Sequence, residues 1–554
     1  MQYLIISFAT LVGTIFITPY FIDLFNKIKI VDQPDGKRKL HALAVPRTGG
    51  LLIFLVLITS LFVFYGELNL VKFFVFGAIV VFALGAYDDF LGAGWLLKFV
   101  YQFVSASLLV LFLLPKFSSI IIFGIPLPVI PASILLIFFI VGTLNSFNLL
   151  DGLDGLVSGI SLLCLTLLFF INLNSSETFL TILLASIIGC MIGFLKYNAF
   201  PARIFLGDSG SYLLGYLLVS SAIIVSINKS TGVLDLTFPV ILLAVPIADT
   251  IKVLIKRVMN GSHPFLADRT HIHHIVSSKN ITHKTTVFII SIYSLFFSAD
   301  AIIYRFYSES TGIIIFALLI LPLVFANRLL NFMINREKLV VFGRMINQFP
   351  QKIIDYYKVG VVPAAALFVL FSFILLLLKE VNPKAEFLIP SIFIVGFLIV
   401  VTITNYRKNK LYTDIIVFFN ILIFFIINQK NSLLYSDISY LPVLGNLNYH
   451  LLIVGILLPV VGFFLLFRDR IKPQREMFFT GMDLTIILLV VLLSISSNII
   501  PIKNSFLITD TIFRSFIIYT FYKVMIKIEP KFRPSLYAFS FIIALLSQTI
   551  LIFS

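Results

Sequence analysis

Apolar runs of about 20 residues recur along the whole of this chain, and they restrict its fold more than any other feature. About 20 consecutive apolar residues is the length a helix needs to cross the hydrocarbon core of a bilayer. Composition agrees: 60% of the 554 residues are hydrophobic and 12% are charged, where a soluble protein carries about 25% charged residues. A soluble globule is excluded. The expected fold is all-α, a polytopic integral membrane protein.

The runs of the first half fall near 3–22, 49–65, 71–90, 96–114, 130–147, 156–173, 178–195, 206–227, 237–258, 284–305 and 311–328, which makes about eleven transmembrane helices. The stretch 120–131 contains Gly124, Pro126 and Pro128 and reads as an external hairpin, not a span. A second set lies near 359–379, 386–405, 411–428, 448–467, 481–499, 508–526 and 535–553, or about seven more helices. The chain is thus expected to comprise a domain at 1–330, a basic cytoplasmic linker at 331–358 and a C-terminal transmembrane module at 359–554.

Charge sets the orientation. The net charge of +15 is spread over short loops between apolar runs, as the positive-inside rule requires. There is no basic tail or aromatic-interleaved patch for nucleic acid. Lys27, Lys29, Lys37, Arg38, Lys39 and Arg47 share one side with Arg257, Arg269, Lys279, Arg328, Arg336 and Lys338, whereas the other side holds scattered residues such as Lys72, Lys116 and Lys229. The N-terminus is therefore expected outside. The first run starts at Tyr3 with no preceding Lys or Arg, so it reads as a membrane helix and not as a signal peptide. Cys164 and Cys190 lie within apolar runs and read as packing residues.

With that orientation, the polar clusters all fall on the cytoplasmic face: the Asp32–Gly50 loop, Asp88-Asp89, Asn145 to Gly155, Gly207 to Ser211, and His263 to His274. Ionisable groups at membrane depth are costly and usually functional. Adjacent carboxylates at Asp88 and Asp89 repel unless a cation offsets them. Lys98 and Gln102 share a helix face four residues apart, and Lys98 reads either as a snorkelling interfacial cation or as a contact for a phosphate. Asn145, Asn148, Asp151 and Asp154 recur every third residue, which a continuing helix stacks roughly on one face, with Gly152 and Gly155 leaving the backbone open. Asp208, before Ser209-Gly210-Ser211, reads alone as an N-cap. Hard cations such as Mg²⁺ take carboxylate oxygens and share them with substrate phosphates, so these aspartates supply candidates for one such ion. His271, His273 and His274 lack the cysteine or HExxH partners of zinc and, with Arg269, read as a cationic clamp for a diphosphate. Asp249, with Lys252 and Lys256 following at i+3 and i+7, reads equally as a structural ion pair or a functional group.

Together the stretches DQPD (from Asp32) through PRTGG (to Gly50), AYDDFLG, NSFNLLDGLDGL, IFLGDSGS and HPFLADRTHIHH resemble the polyprenyl-phosphate N-acetylhexosamine-1-phosphate transferase superfamily, glycosyltransferase family 4. The resemblance covers about residues 1–330. It implies transfer of a HexNAc-1-phosphate, with GlcNAc the first choice, from a UDP-sugar to undecaprenyl phosphate in a bacterial inner membrane, releasing UMP and starting a cell-envelope polysaccharide such as O-antigen. It implies that Asp88 and Asp89 are a catalytic pair near the acceptor phosphate and that Asp208 is a principal Mg²⁺ ligand, with Mn²⁺ as the substitute ion. By the same resemblance Asn148, Asp151 and Asp154 organise the nucleotide–metal site, with Asn145 beside them. His271, His273, His274 and Arg269 bind the diphosphate, and Lys39, His41 and Arg47 contact phosphate.

The DRTHIHH segment is closer to the GlcNAc-phosphate branch than to the consecutive histidines of the MurNAc-pentapeptide branch. That second donor class stays open. A lipid or solute transporter is the rival class, but transporters place their polar groups near the midplane in paired repeats. Here they gather at one face, so transport is left for the second half only. That half carries no comparable constellation; oligomerisation, contact with a downstream glycosyltransferase and handling of the lipid product are its unranked expected roles.

Overall fold

The computed structural model describes residues 2–28, 45–173, 177–261, 271–272, 276, 283–325, 350–377 and 505–529, with scattered positions between 417 and 542. Its contacts divide the chain into two compact units, one of Gln2–Asn335 with Phe479–Lys503, the other of Arg336–Phe478 with Asn504–Ser554.

The first unit is a helical bundle. Its helices are α1 (Gln2–Lys27), α2 (Gly49–Ser60, continued by a π turn over Leu61–Tyr65), α3 (Lys72–Leu91), α4 (Trp95–Leu113), α5 (Val129–Leu150), α6 (Leu156–Asn172), α7 (Thr178–Asn198), α8 (Gly207–Ser226), α9 (Thr237–Leu242), α10 (Ala244–Met259), α11 (His283–Phe306) and α12 (Glu309–Val324). Within the described residues, ten of the eleven expected runs are continuous helical segments. The exception is 237–258, which breaks at Leu243 between α9 and α10. Pro246 explains the break: it lacks the N–H that would bond to Leu242, and its ring clashes with that carbonyl four residues back.

α8 is the axis. Every residue of its apolar window is buried, and it packs against α2, α3, α5 and α6. Its sequence alternates Gly and Ser with large residues, as close helix packing in a membrane demands. Gly50 of α2 and Gly85 of α3 face its first turn. A Cβ on Gly50 would lie 2.3 Å from Gly210 N, and one on Gly85 2.3 Å from Ser209 Cα. These two glycines let three helices meet at backbone distance.

At the opposite end of α8, β1 (Ser119–Ile122) pairs antiparallel with β2 (Ile125–Leu127) and parallel with β3 (Val233–Asp235). The expected hairpin is present there as a small sheet.

The outer face is apolar. On α4, Leu97, Val100, Val104 and Leu111 are exposed, while Gln102, Ser105, Ala106 and Leu109 on the other side are buried. An apolar surface of that extent requires lipid or another apolar partner. Among the described residues eight helices are long and apolar enough to cross a membrane, and the chain is a multi-pass membrane protein. Cys164 and Cys190 are buried and unbridged.

In the second unit the described helices are α13 (Gln351–Tyr356), which runs through a π turn into α14 (Val362–Leu377), and α15 (Ser505–Ile528). Most of the seven spans expected in this half lie outside the described residues.

Candidate active site

The site is assembled at the end of the bundle where α3 and α5 finish and α8 begins. The chain entering α2 runs beside the chain entering α8: Phe205 N–H donates to Pro46 O at 2.8 Å, Gly49 N–H to Phe205 O at 3.0 Å and Gly50 N–H to Leu206 O at 2.9 Å. This pairing brings the PRTGG and IFLGDSGS stretches together. Arg47 projects from it, exposed, close enough for its charge to act on Asp89 and Asp151.

The two aspartates of α3 have separate surroundings. Asp89 is committed to α8: its Oδ1 accepts the Asp208 N–H at 2.7 Å, and its Oδ2 accepts the Ser209 N–H at 3.0 Å and the Ser209 hydroxyl at 2.7 Å. The free N–H groups of a helix start need such partners, and here another helix supplies them. Asp208 is accordingly not the N-cap that its sequence position suggested. It lies within the first turn, its side chain released for other work. Asp88 Oδ1 accepts the Ala93 N–H at 2.7 Å, and its Oδ2 forms an ion pair with Lys98. Lys98 is thus the cation that permits adjacent carboxylates here.

The carboxyl groups of Asp88 and Asp208 are close enough to act on one another. Asn148 Nδ2 donates to Asp208 Oδ1 at 2.6 Å and to Ser211 Oγ at 3.1 Å. Asn145 and Asn148 sit on the last turns of α5, but the helix ends at Leu150 and Asp151 is its C-cap. The expected stack of four polar residues is therefore cut short. Asp154 lies beyond it and turns away, accepting the Ala202 N–H at 2.9 Å and fastening the α7–α8 connection. Asp151 stays with the cluster. Burial, then the charges of Asp208 and Asp89, hold its carboxyl well above the usual carboxylate range.

A cavity of about 890 Å³ opens beside this cluster. Lys98, Gln102, Asn145, Asn148, Asp151, Arg257 and His271 supply its polar lining, while Trp95, Phe99, Phe138, Ile251 and Leu254 make another part apolar. Lys98 and Gln102 do share one face, as their spacing predicts. Lys39, His41, Arg269, His273 and His274 lie outside the described residues. Sequence reasoning passed over Arg257 as one more loop cation and Ser209 as a link in a motif. No periodic signal marked either one.

The acidic set suits a hard cation. Asp88, Asp89, Asp151 and Asp208 crowd four carboxyl groups together, and their mutual repulsion is what Mg²⁺ would relieve. Among the described residues no three His, Cys, Asp or Glu side chains form a closed metal cage. Mg²⁺ ordinarily needs none, since it takes one or two carboxylates and completes its shell with phosphates and water.

Fold and site define a membrane-embedded transferase whose acidic centre lies at one end of a helix bundle. The family described as "Glycosyl transferase family 4" matches residues 71–226, from the approach to α3 through the end of α8. The chain is 32% identical over 306 residues to the "Probable undecaprenyl-phosphate N-acetylglucosaminyl 1-phosphate transferase" of Bacillus subtilis, covering 54% of this chain and 83% of that protein. It is 33% identical over 295 residues to the undecaprenyl-phosphate alpha-N-acetylglucosaminyl 1-phosphate transferase of Thermotoga maritima, covering 53% and 88%. It is 30% identical over 253 residues to a phospho-N-acetylmuramoyl-pentapeptide-transferase of Clostridium perfringens, covering 40% and 72%. The chain belongs to glycosyl transferase family 4.

Proposed function

We infer that this chain transfers N-acetylglucosamine-1-phosphate from UDP-GlcNAc to undecaprenyl phosphate, giving the undecaprenyl-diphosphate sugar and UMP. The observation that carries the reading is the convergence of Asp88, Asp208, Asn148 and Asp151 beside a cavity that is polar in one part and apolar in another. A sugar nucleotide and a phospholipid need both surfaces at once.

Phosphoryl transfer is chiefly positioning and charge neutralisation. Asp208 and Asp151, with Asn148 orienting Asp208, would hold Mg²⁺, which when bound offsets phosphate charge and stabilises the leaving UMP. The acceptor has a second pKa of about 6 and is largely ionised at neutral pH, so no strong base is required. Asp88, fixed by the Ala93 N–H and Lys98, orients the attacking phosphate. Lys98 lines the cavity and keeps that anion from being repelled. Asp89 acts one step back, by holding the α8 turn that carries Asp208. Arg47, Asn145 and His271 contact the nucleotide diphosphate, as do Arg269, His273, His274, Lys39 and His41 in the expectation from sequence. Attack is direct, and a covalent aspartyl-phosphate at Asp88 is the alternative route. Asp154 serves the site through the Ala202 backbone, not as a ligand.

The distribution of Lys and Arg supports eleven spans in the catalytic half, an external N-terminus and a catalytic end on the cytoplasmic side of a bacterial inner membrane. The Clostridium relative supports a second reading of the donor as UDP-MurNAc-pentapeptide. Purified protein given undecaprenyl phosphate and Mg²⁺ should release UMP from UDP-GlcNAc faster than from UDP-GalNAc or UDP-MurNAc-pentapeptide. Preference for the pentapeptide donor would move the chain to the other branch.

A further inference from the structure

The reaction described above gives the buried Asp249 no task. Asp249, in the middle of α10, is only 3% exposed. A structural ion pair would require no more than Lys252, whose Nζ lies 3.1 Å from Oδ1. The carboxylate does more than that. Its Oδ1 also accepts the Ile272 N–H at 2.8 Å, and its Oδ2 lies 2.9 Å from Nδ1 of His271. Both contacts reach across 22 and 23 residues of sequence to one short segment.

A carboxylate can only accept, so Nδ1 of His271 carries the proton and donates to Oδ2. The Ile272 N–H holds the backbone while the ring is held through Nδ1. Two points on adjacent residues fix both the position and the rotation of the imidazole. Nε2 is then directed away from α10, which is how an outer carboxylate orders a histidine in many catalytic and metal sites. His271 is 5% exposed and yet lines the cavity that Asn148, Asp151, Lys98 and Arg257 also line.

We propose that Asp249 is a positioning residue, which holds His271 in one ring orientation toward the phosphates of the bound sugar nucleotide. This rests on the transferase reading above. If Asp249 acts only through His271, losing either residue removes the same interaction, and losing both costs little more than losing one.

The test is steady-state UMP release by the purified full-length chain with UDP-GlcNAc, undecaprenyl phosphate and Mg²⁺, for Asp249→Asn, His271→Ala, the double variant and Lys252→Met. Asp249→Asn should lower kcat/KM for UDP-GlcNAc by about 10- to 100-fold, with KM for the lipid phosphate within about twofold. The double variant should match His271→Ala within about twofold. Lys252→Met, which removes the ion pair but neither contact to the His271 segment, should retain activity within about threefold. Multiplying losses in the double variant, an equal rise in both KM values, or wild-type kinetics in Asp249→Asn would overturn the assignment. Should Asp249→Asn fail to fold, Lys252→Met decides: retained activity supports it, and a loss equal to that of His271→Ala contradicts it. No UMP from the wild-type chain would instead remove the transferase reading, and this inference with it.

Discussion

Asp89 on α3 accepts the backbone N–H of Asp208 on α8 at 2.7 Å, so one acidic residue of the site holds another in place. With Ser209 giving both its N–H and its hydroxyl to the same carboxylate, a single side chain closes the helix start that carries Asp208. The motif pair DD and GDS is therefore one structural unit, 119 residues apart in sequence.

Removing that closure should weaken the fold as well as the activity. Asp89→Ala leaves three donors without their acceptor, at a cost on the order of 3 kcal/mol. Asp89→Asn keeps an acceptor for Asp208 but turns an amide N–H₂ toward Ser209, so it should fall between Ala and wild type. Thermal midpoints in detergent check this; a wild-type midpoint in Asp89→Ala would contradict the capping role.

Asp88→Asn and Asp208→Asn should behave differently. Neither carboxyl group closes a helix start, so the fold should persist while turnover falls by about 100-fold or more. Monodisperse protein with wild-type UMP release in either variant would take that residue out of the site.

Lys98 neutralises Asp88. Lys98→Met should lower kcat/KM for the lipid phosphate by about 10- to 100-fold, because an unpaired anion then faces an anionic acceptor. Lys98→Arg should recover part of the loss. Equal activity of the Met and Arg variants would show that charge at this position is immaterial.

Gly85→Ala places a Cβ 2.3 Å from Ser209 Cα, and α3 must move off α8. The overpacking should cost about 1–3 kcal/mol and reduce activity through Asp89. Gly13→Ala, where nothing lies within 4 Å, is the neutral control. Equal thermal midpoints for the two would refute the close-packing argument.

Helix positions were legible because the bilayer imposes one length and one polarity on every span: Trp95–Leu113 and Thr178–Asn198 stand almost where their apolar runs do. The α9–α10 break was not, because hydropathy cannot see that Pro246 removes a backbone donor. The acidic clusters pointed to the candidate site, since charged groups near lipid are rare without a purpose. Their division of labour stayed hidden. Whether Asp89 faces a ligand or a helix start, and whether Asp154 stays with Asp151 or turns to Ala202, depends on where α5 stops and how α8 approaches, which are tertiary facts. Asp249 was the sharpest case: its near neighbour Lys252 was visible by spacing, and its more informative partner His271 was not.

The most direct measurement uses UDP-GlcNAc labelled separately in the β-phosphate and in the sugar, incubated with the purified chain, undecaprenyl phosphate and Mg²⁺. Both labels should enter the lipid extract in equal amounts, UMP should appear in step, and EDTA should stop all three. Sugar label in the lipid without the β-phosphate, or UMP formation independent of the lipid, would contradict transfer of a sugar-1-phosphate by this site.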